Sequence, residues 1–468
     1  MAYRFYIYFY LVASVFFAAY LISSIKPRRY FVNYMITVWF LITPIVNSRI
    51  FRLINPLMRY TGRTWRINLH FGVFLSGILL LRALTVRNPD KLKLKKTLTY
   101  EKFLYFYLFG SMTLWYIHYT IGNLRPDYLN IRLMVDYTAI ILYFSLTKHI
   151  DKDTVKCIMK SIIFMSVIST FFCFPQFFYD RWIMRTDRMA FAFADYRRSS
   201  GIFVAPHDHS MFVASALFMT DLSIKNKPLK YSLMAFFVSG IILTFNRATW
   251  IGVVIAVFFY LNKYYRQWLS KKVMVLLFLP VIAFFLYKTF FDRVKETVSQ
   301  TDVYQQRLAS DTGTQRVMLW NMGIEVLQEN VIVGLGDKID NPVYYKMMYV
   351  IGGRDWAMGR RGGIHNLFLE ELVHKGIFIP IFLLLFFVYF FKHIVKENKD
   401  KNMFYIAVFA YTTVYATFQQ FGASFVNANN GILIIFYAAM ASAIYYKNID
   451  ISEFSLEGEK TKLNGNSD

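Results

Sequence analysis

Cysteine is nearly absent from this 468-residue chain: Cys157 and Cys173 are the only two. Both fall in one apolar stretch that reads as a single helix, where 1.5 Å of rise per residue sets them about 24 Å apart. Neither a disulfide nor a thiol–metal site is expected. Acidic side chains are also scarce, 29 Asp and Glu against 53 Lys and Arg, for a formal charge of +24. In a soluble chain such a surplus suggests nucleic acid. Here the basic residues sit in connectors between apolar runs, the pattern of loops held on the cytoplasmic side of a membrane, so a phospholipid surface is the expected partner and no nucleic acid is. There is no internal repeat, which counts against a transporter built from repeated halves. The first apolar run, Tyr3 to Ser23, lacks a small-residue cleavage site before Lys26-Pro27-Arg28-Arg29 and is too long and aromatic for a signal-peptide core. It is expected to remain as a span.

Apolar sequence is abundant. The chain is 56% hydrophobic and 19% aromatic, with a mean hydropathy of +0.36, spread over many segments. An all-α, polytopic integral membrane protein of about 12–13 transmembrane helices is expected. The windows are Tyr3–Ser23, Tyr30–Val46, Ile67–Val86, Phe103–Gly122, Ile131–Thr147, Cys157–Tyr179, Phe203–Ser223, Tyr231–Phe245, Thr249–Leu261, Val273–Phe291, Leu367–Phe391, Phe404–Gln419 and Gly431–Tyr446. Asn47–Arg66, with arginines between apolar residues, reads as an amphipathic surface helix. The organisation is N-terminal transmembrane helices over 1–291, an extracytoplasmic loop over 292–364, C-terminal transmembrane helices over 365–447 and a disordered cytoplasmic tail over 448–468.

Connectors sort by cation type. Lys148–Lys156, Lys225–Lys230, Lys263–Lys272 and Lys392–Lys401 are short and lysine-dominated, hence cytoplasmic. Asp180–Ile202, the turn at Asn246-Arg247, the long loop Asp292–Ile364 and Gln420–Asn430 then lie outside. Asp180–Ile202 carries Arg181, Arg185, Arg188, Arg197 and Arg198 but no lysine. Arginine alone, outside, suits an oxygen-rich anion such as pyrophosphate, which a guanidinium grips through paired hydrogen bonds; pairing with Asp180, Asp187 and Asp195 or with lipid headgroups is the plainer alternative. Arg247, in so tight a turn that it lies at the bilayer boundary, needs an anion beside it or a headgroup within reach. The long loop has nine basic and nine acidic residues, so anion binding there rests on placed residues such as Arg316. Within it, Val317, Trp320, Ile324 and Leu327 recur at helical spacing over Gln315–Gln328, a helix expected to lie on the membrane face.

The loop ends at Arg360-Arg-Gly-Gly-Ile-His365-Asn366. A helix N-terminus and neighbouring arginines both favour the neutral imidazole that a general base needs, which singles out His365, set against the plainer role of a helix cap. Asn366, Glu370 and His374 follow at one-turn intervals, with Glu371 alongside, and make this face polar for a membrane helix. Three other patterns are set aside. Asp151-Lys152-Asp153 resembles a metal-binding D-x-D but lies in a cytoplasmic connector. His207-Asp208-His209 puts its histidines two apart on a helix, facing different ways. Glu371-Leu-Val-His374 is a lone E-x-x-H, where carboxylate di-metal bundles need two. No metal or cofactor is expected.

In order, Arg198-Ser-Ser-Gly-Ile-Phe-Val-Ala-Pro206, Asn246-Arg247-Ala-Thr-Trp250, Thr314-Gln-Arg316-Val-Met-Leu-Trp320, Gly334-Leu-Gly336 and His365-Asn366-Leu-Phe-Leu resemble the O-antigen ligase and O-antigen polymerase family of bacterial membrane glycosyltransferases. The resemblance spans roughly Phe103 to Tyr446. It implies a multi-pass protein of the bacterial inner membrane with its active site facing the periplasm, and an undecaprenyl-pyrophosphate-linked glycan as donor. The acceptor it implies is a lipid A core or another glycan. By the same resemblance Arg247, Arg316 and one of Arg197 or Arg198 hold the pyrophosphate, and His365 is the base. The chain departs from the family at Pro206-His-Asp-His209 and in extra residues around Asp340–Gly362, both bearing on acceptor recognition. Ligase and polymerase remain alternatives, and a lipid-linked glycan flippase is the alternative from another class.

Overall fold

A computed structural model describes residues 97–124, 126–180, 183, 198–203, 206–246, 249–250, 252–254, 257, 320, 323–324, 327–328, 330–336, 366–397 and 429–449. Every regular element among them is an α-helix. In chain order these are α1 Thr99–Thr120, α2 Pro126–His149, α3 Lys152–Phe178, α4 Pro206–Ser223, α5 Lys227–Leu243, α6 Leu367–Lys375, α7 Phe378–Glu397 and α8 Asn429–Lys447. The windows expected from Phe103 to Phe245, and the window Gly431–Tyr446, each become one helix within a few residues of the expected ends. Trp320, Gly323, Ile324 and Leu327 are helical, as the spacing in the long loop requires. Cys157 and Cys173 are buried and unbridged along α3.

Local chemistry sets the helix ends. Asp151 is the N-cap of α3, accepting from the Thr154 amide at 2.9 Å and its hydroxyl at 2.8 Å, which gives the discounted D-x-D a capping role. Asn226 caps α5 in the same way, with Pro228 in the first turn. At the far end of α2, Lys447 of α8 donates to the Lys148 and Ile150 carbonyls at 2.5 and 2.6 Å, satisfying groups that a helix C-terminus leaves open.

The helices pack as two groups. In the first, α1 lies along α7, with Tyr100 edge-on to Phe390 at 5.1 Å, Phe103 stacked on Tyr389 at 5.1 Å and Phe106 against Phe382 at 5.6 Å. Gly110 lets the two backbones close, since a Cβ there would run into Ile379. Helices α2 and α8 complete this group. In the second, α3, α4 and α5 pack together, Phe174 stacking on Phe236 at 5.7 Å. Contact of α4 with α8 joins the groups into one apolar core.

One expected helix is corrected. Leu367–Phe391 does not run as a single span but breaks at Gly376, and its halves fold against each other, with Phe368 edge-on to Phe387 at 6.0 Å. Gly376 has φ +69° and ψ −173°, backbone open essentially to glycine alone. Lys375 in the last helical turn and glycine just beyond it form a C-terminus signature that the average hydropathy of the window hides.

Among the described residues, α3 alone is a helix of at least 18 residues apolar enough to cross a membrane by length and composition; Phe378–His393 and Ile434–Lys447 are apolar but shorter. The windows Tyr3–Ser23, Tyr30–Val46, Ile67–Val86, Val273–Phe291 and Phe404–Gln419, the Asn47–Arg66 helix and the tail beyond Ile449 lie outside the described residues.

Candidate active site

Helix α6 has only nine residues and begins immediately after His365-Asn366. Asn366 is its N-cap: the side-chain oxygen accepts from the Leu369 amide at 3.2 Å. The capping role weighed for the histidine thus belongs to its neighbour, leaving His365 one residue before the cap. The C-terminus of α6 is closed by residues 331–336 of the long loop. Leu335 and Gly336 donate their amides to the Val373 and His374 carbonyls at 2.7 and 3.1 Å, and Ile377 donates to Val331 O at 2.9 Å. Gly334 and Gly336 carry φ of +77° and +73°, and a Cβ on Gly334 would overlap the backbone of His374 to Gly376. The Gly-Leu-Gly motif is therefore the piece of the loop that locks onto α6.

The polar face of α6 is not turned to water. Glu370, Glu371, His374 and Lys375 are each 0% exposed. His374 donates Nδ1–H to the Gly336 carbonyl, and its Nε2 stands 3.9 Å from Glu370 Oε1. His118 of α1, its Nε2–H donated to Val333 O at 2.9 Å, holds the same loop turn from the other side. Lys375 Nζ lies 2.5 Å from Glu371 Oε2 and donates to the Tyr107 hydroxyl at 3.1 Å. It also sits over the rings of Tyr107 and Trp115, at 4.9 and 5.3 Å. Arg132 of α2 approaches the same Trp115 ring at 5.4 Å, and Asp136, one turn on, is wholly buried facing Trp115, Glu371, Lys375 and Arg132.

A second unit forms where Arg198-Ser-Ser-Gly meets the end of α5. Arg198 donates Nε to Thr244 O at 2.8 Å and Nη2 to Phe245 O at 3.4 Å, two residues before Arg247. The Ser199 amide donates to Leu243 O at 3.0 Å. Gln176 of α3 clasps the turn that follows, accepting from the Ser200 and Gly201 amides at 2.9 Å each and donating to Gly201 O at 2.7 Å. Asn246 donates to Ser210 Oγ at 3.1 Å, and Ser210 bonds Thr249 at 2.7 Å. His209 is a core histidine, with Nδ1 at 2.6 Å from Ser169 and Nε2 at 3.3 Å from Cys173; His207 lies on the partly exposed side.

The sequence-predicted residues thus fall in two places. Asn366, Glu370 and His374 are together on α6, and Arg198 is bonded to the turn that leads into Arg247. Arg197, Arg247, Arg316 and His365 themselves lie outside the described residues. Sequence reasoning missed Lys375, Arg132, Asp136, Tyr107 and Trp115. The signal for two of them was present: Arg132 and Asp136 form an i,i+4 charge pair inside an apolar window. Among the described residues, no three His, Cys, Asp or Glu side chains gather as a metal site.

No curated protein matches the chain. A family model described as O-antigen ligase matches residues 232–386, about a third of the chain. The match takes in the Asn246-Arg247, Arg316, Gly334-Leu-Gly336 and His365-Asn366 motifs; the Arg198 segment lies before it but is hydrogen-bonded to it through Thr244 and Phe245. Over residues 232–386 the chain is similar to the O-antigen ligase family.

Proposed function

We propose that the protein is an O-antigen ligase-type glycosyltransferase of the bacterial inner membrane. It crosses the bilayer about 12–13 times by the count of apolar windows. It moves a glycan from undecaprenyl pyrophosphate to an acceptor hydroxyl, on a lipid A core or a similar molecule, at the periplasmic face. One observation carries this reading. The family match spans the positions of Arg247, Arg316 and His365 in the sequence, and Arg198 is hydrogen-bonded to Thr244 and Phe245, just before Arg247 in the chain.

In this mechanism His365 takes the proton of the acceptor hydroxyl as the oxygen attacks the anomeric carbon. The bond from that carbon to the pyrophosphate oxygen breaks, its electron pair leaves with undecaprenyl pyrophosphate, and the configuration inverts. Arg247, Arg316 and Arg198 or Arg197 stabilise the charge gathering on the leaving oxygens. Arg198, already donating to two carbonyls, contributes by fixing the Arg247 turn as well as by its own charge.

The test is complementation of a deletion strain with His365→Ala and Arg247→Ala, with membrane insertion followed by immunoblot. Each variant is expected to insert and to abolish surface glycan; normal long-chain glycan in both sinks the proposal. The deletion strain also separates the activities. Long lipid-linked chains without surface attachment identify a ligase, and a single-repeat product identifies a polymerase. Lipid-linked glycan held on the cytoplasmic leaflet identifies a flippase.

A further inference from the structure

The charged cluster between α1, α2 and α6 has no task in the chemistry just given. Its groups are deeply placed: Asp136, Glu371 and Lys375 are 0% exposed and Arg132 is 8%. Such a set is costly to bury and would be replaced by apolar side chains if filling space were all it did. Its formal charge, with all four groups ionised, is zero: two cations against two carboxylates. It joins three helices, through Lys375 to Glu371 at 2.5 Å, Lys375 to Tyr107 of α1 at 3.1 Å, and Arg132 and Lys375 on the shared Trp115 ring.

We infer that Arg132, Asp136, Glu371 and Lys375 form a charge clasp, seated on Tyr107 and Trp115, that sets the register of α6 and so positions His365. The inference rests on His365 being the base. Helix α6 has only nine residues, and Gly376 breaks its continuity with α7. A shift of one residue along α6 moves each side chain by 1.5 Å of rise and roughly 100° of rotation. Apolar residues tolerate such a slip, whereas a buried carboxylate and ammonium that must meet defined partners do not. The Gly334-Leu-Gly336 loop fixes the C-terminal end of α6, and the clasp fixes its rotation. His365, directly before the Asn366 cap, inherits both. These four are positioning residues and touch no substrate.

The test uses the full chain in lipid nanodiscs, with lipid-linked glycan extracted from the deletion strain as donor. In the double variant Glu371→Leu/Lys375→Met, apolar side chains of similar size replace the pair, so the unfolding temperature is expected to hold or rise. KM for the donor is expected to stay within about twofold while kcat falls about 100-fold, as for a base displaced by an ångström or so. A folded double variant with wild-type kcat overturns the inference. If the double variant does not fold, Asp136→Asn, which keeps the side-chain shape, is measured instead; unchanged kcat overturns the inference and a fall in kcat at constant KM supports it. His365→Ala is run beside them. Wild-type kcat in His365→Ala removes the base and the clasp's purpose together, whereas an inactive His365→Ala beside a fully active clasp variant removes the clasp alone.

Discussion

Two buried polar clusters sit on α1 about three to four turns apart, and they are solvated in opposite ways. Near its start, Glu101 is held by neutral donors: the Leu98 amide at 2.9 Å, the Tyr143 hydroxyl at 2.8 Å, the Ser442 hydroxyl at 2.7 Å and the Tyr446 hydroxyl. Farther along, around Trp115, Lys375 and Glu371 answer each other and Asp136 faces two cations. The first arrangement closes on itself and ties α1 to α2 and α8. The second holds a nine-residue helix, ended by glycine, against α1 and α2. Buried polar groups need partners in either case, but only the charged set discriminates between registers.

The comparison orders the expected effects of substitution. Lys375→Ala leaves Glu371 buried without its cation and is expected to cost about 3–5 kcal/mol, read as the largest fall in unfolding temperature in detergent. Glu101→Gln keeps the shape and one acceptor but turns an amide N–H toward groups that donate, at a cost of about 1–3 kcal/mol. If Glu101→Gln costs as much as Lys375→Ala, the distinction between neutral and ionic solvation fails. Gly376→Ala forces a glycine-only conformation and drives a Cβ toward the Ile332 carbonyl, with a backbone cost of about 1–3 kcal/mol; because it spares the Glu101 cluster, it is expected to lower kcat as well as stability. Asn366→Ala removes one cap and is expected to cost about 1 kcal/mol, the smallest change in unfolding temperature of the four.

What the sequence discloses follows from the range of the interactions. Helix positions were legible because apolar content over a window of spanning length is a local property, whereas the capping role of Asp151 emerges only from its bonds to Thr154. The pairing of Arg198 with Thr244 and Phe245, and of Gly334-Leu-Gly336 with α6, brings together motifs that lie far apart in the chain. The break at Gly376 was hidden because a window average over Leu367–Phe391 outweighs two residues. The clasp was hidden for a different reason. Lys375 and Asp136 are separated by about half of the chain, and neither residue announces its partner. His207-Asp208-His209 shows the converse: the two-residue spacing excluded a metal pair, but only the surroundings reveal His209 as a core residue bonded to Ser169 and Cys173.

The proposed role of His365 as the base in glycan transfer is tested most directly by in vitro transfer with purified protein. Lipid-linked glycan from the deletion strain is mixed with its lipid A core acceptor, and wild-type protein is compared with His365→Ala and His365→Gln at matched folding and insertion. The expected result is product from the wild type and none above background from either variant, with donor binding retained in both. Product from His365→Ala at the wild-type rate contradicts the claim.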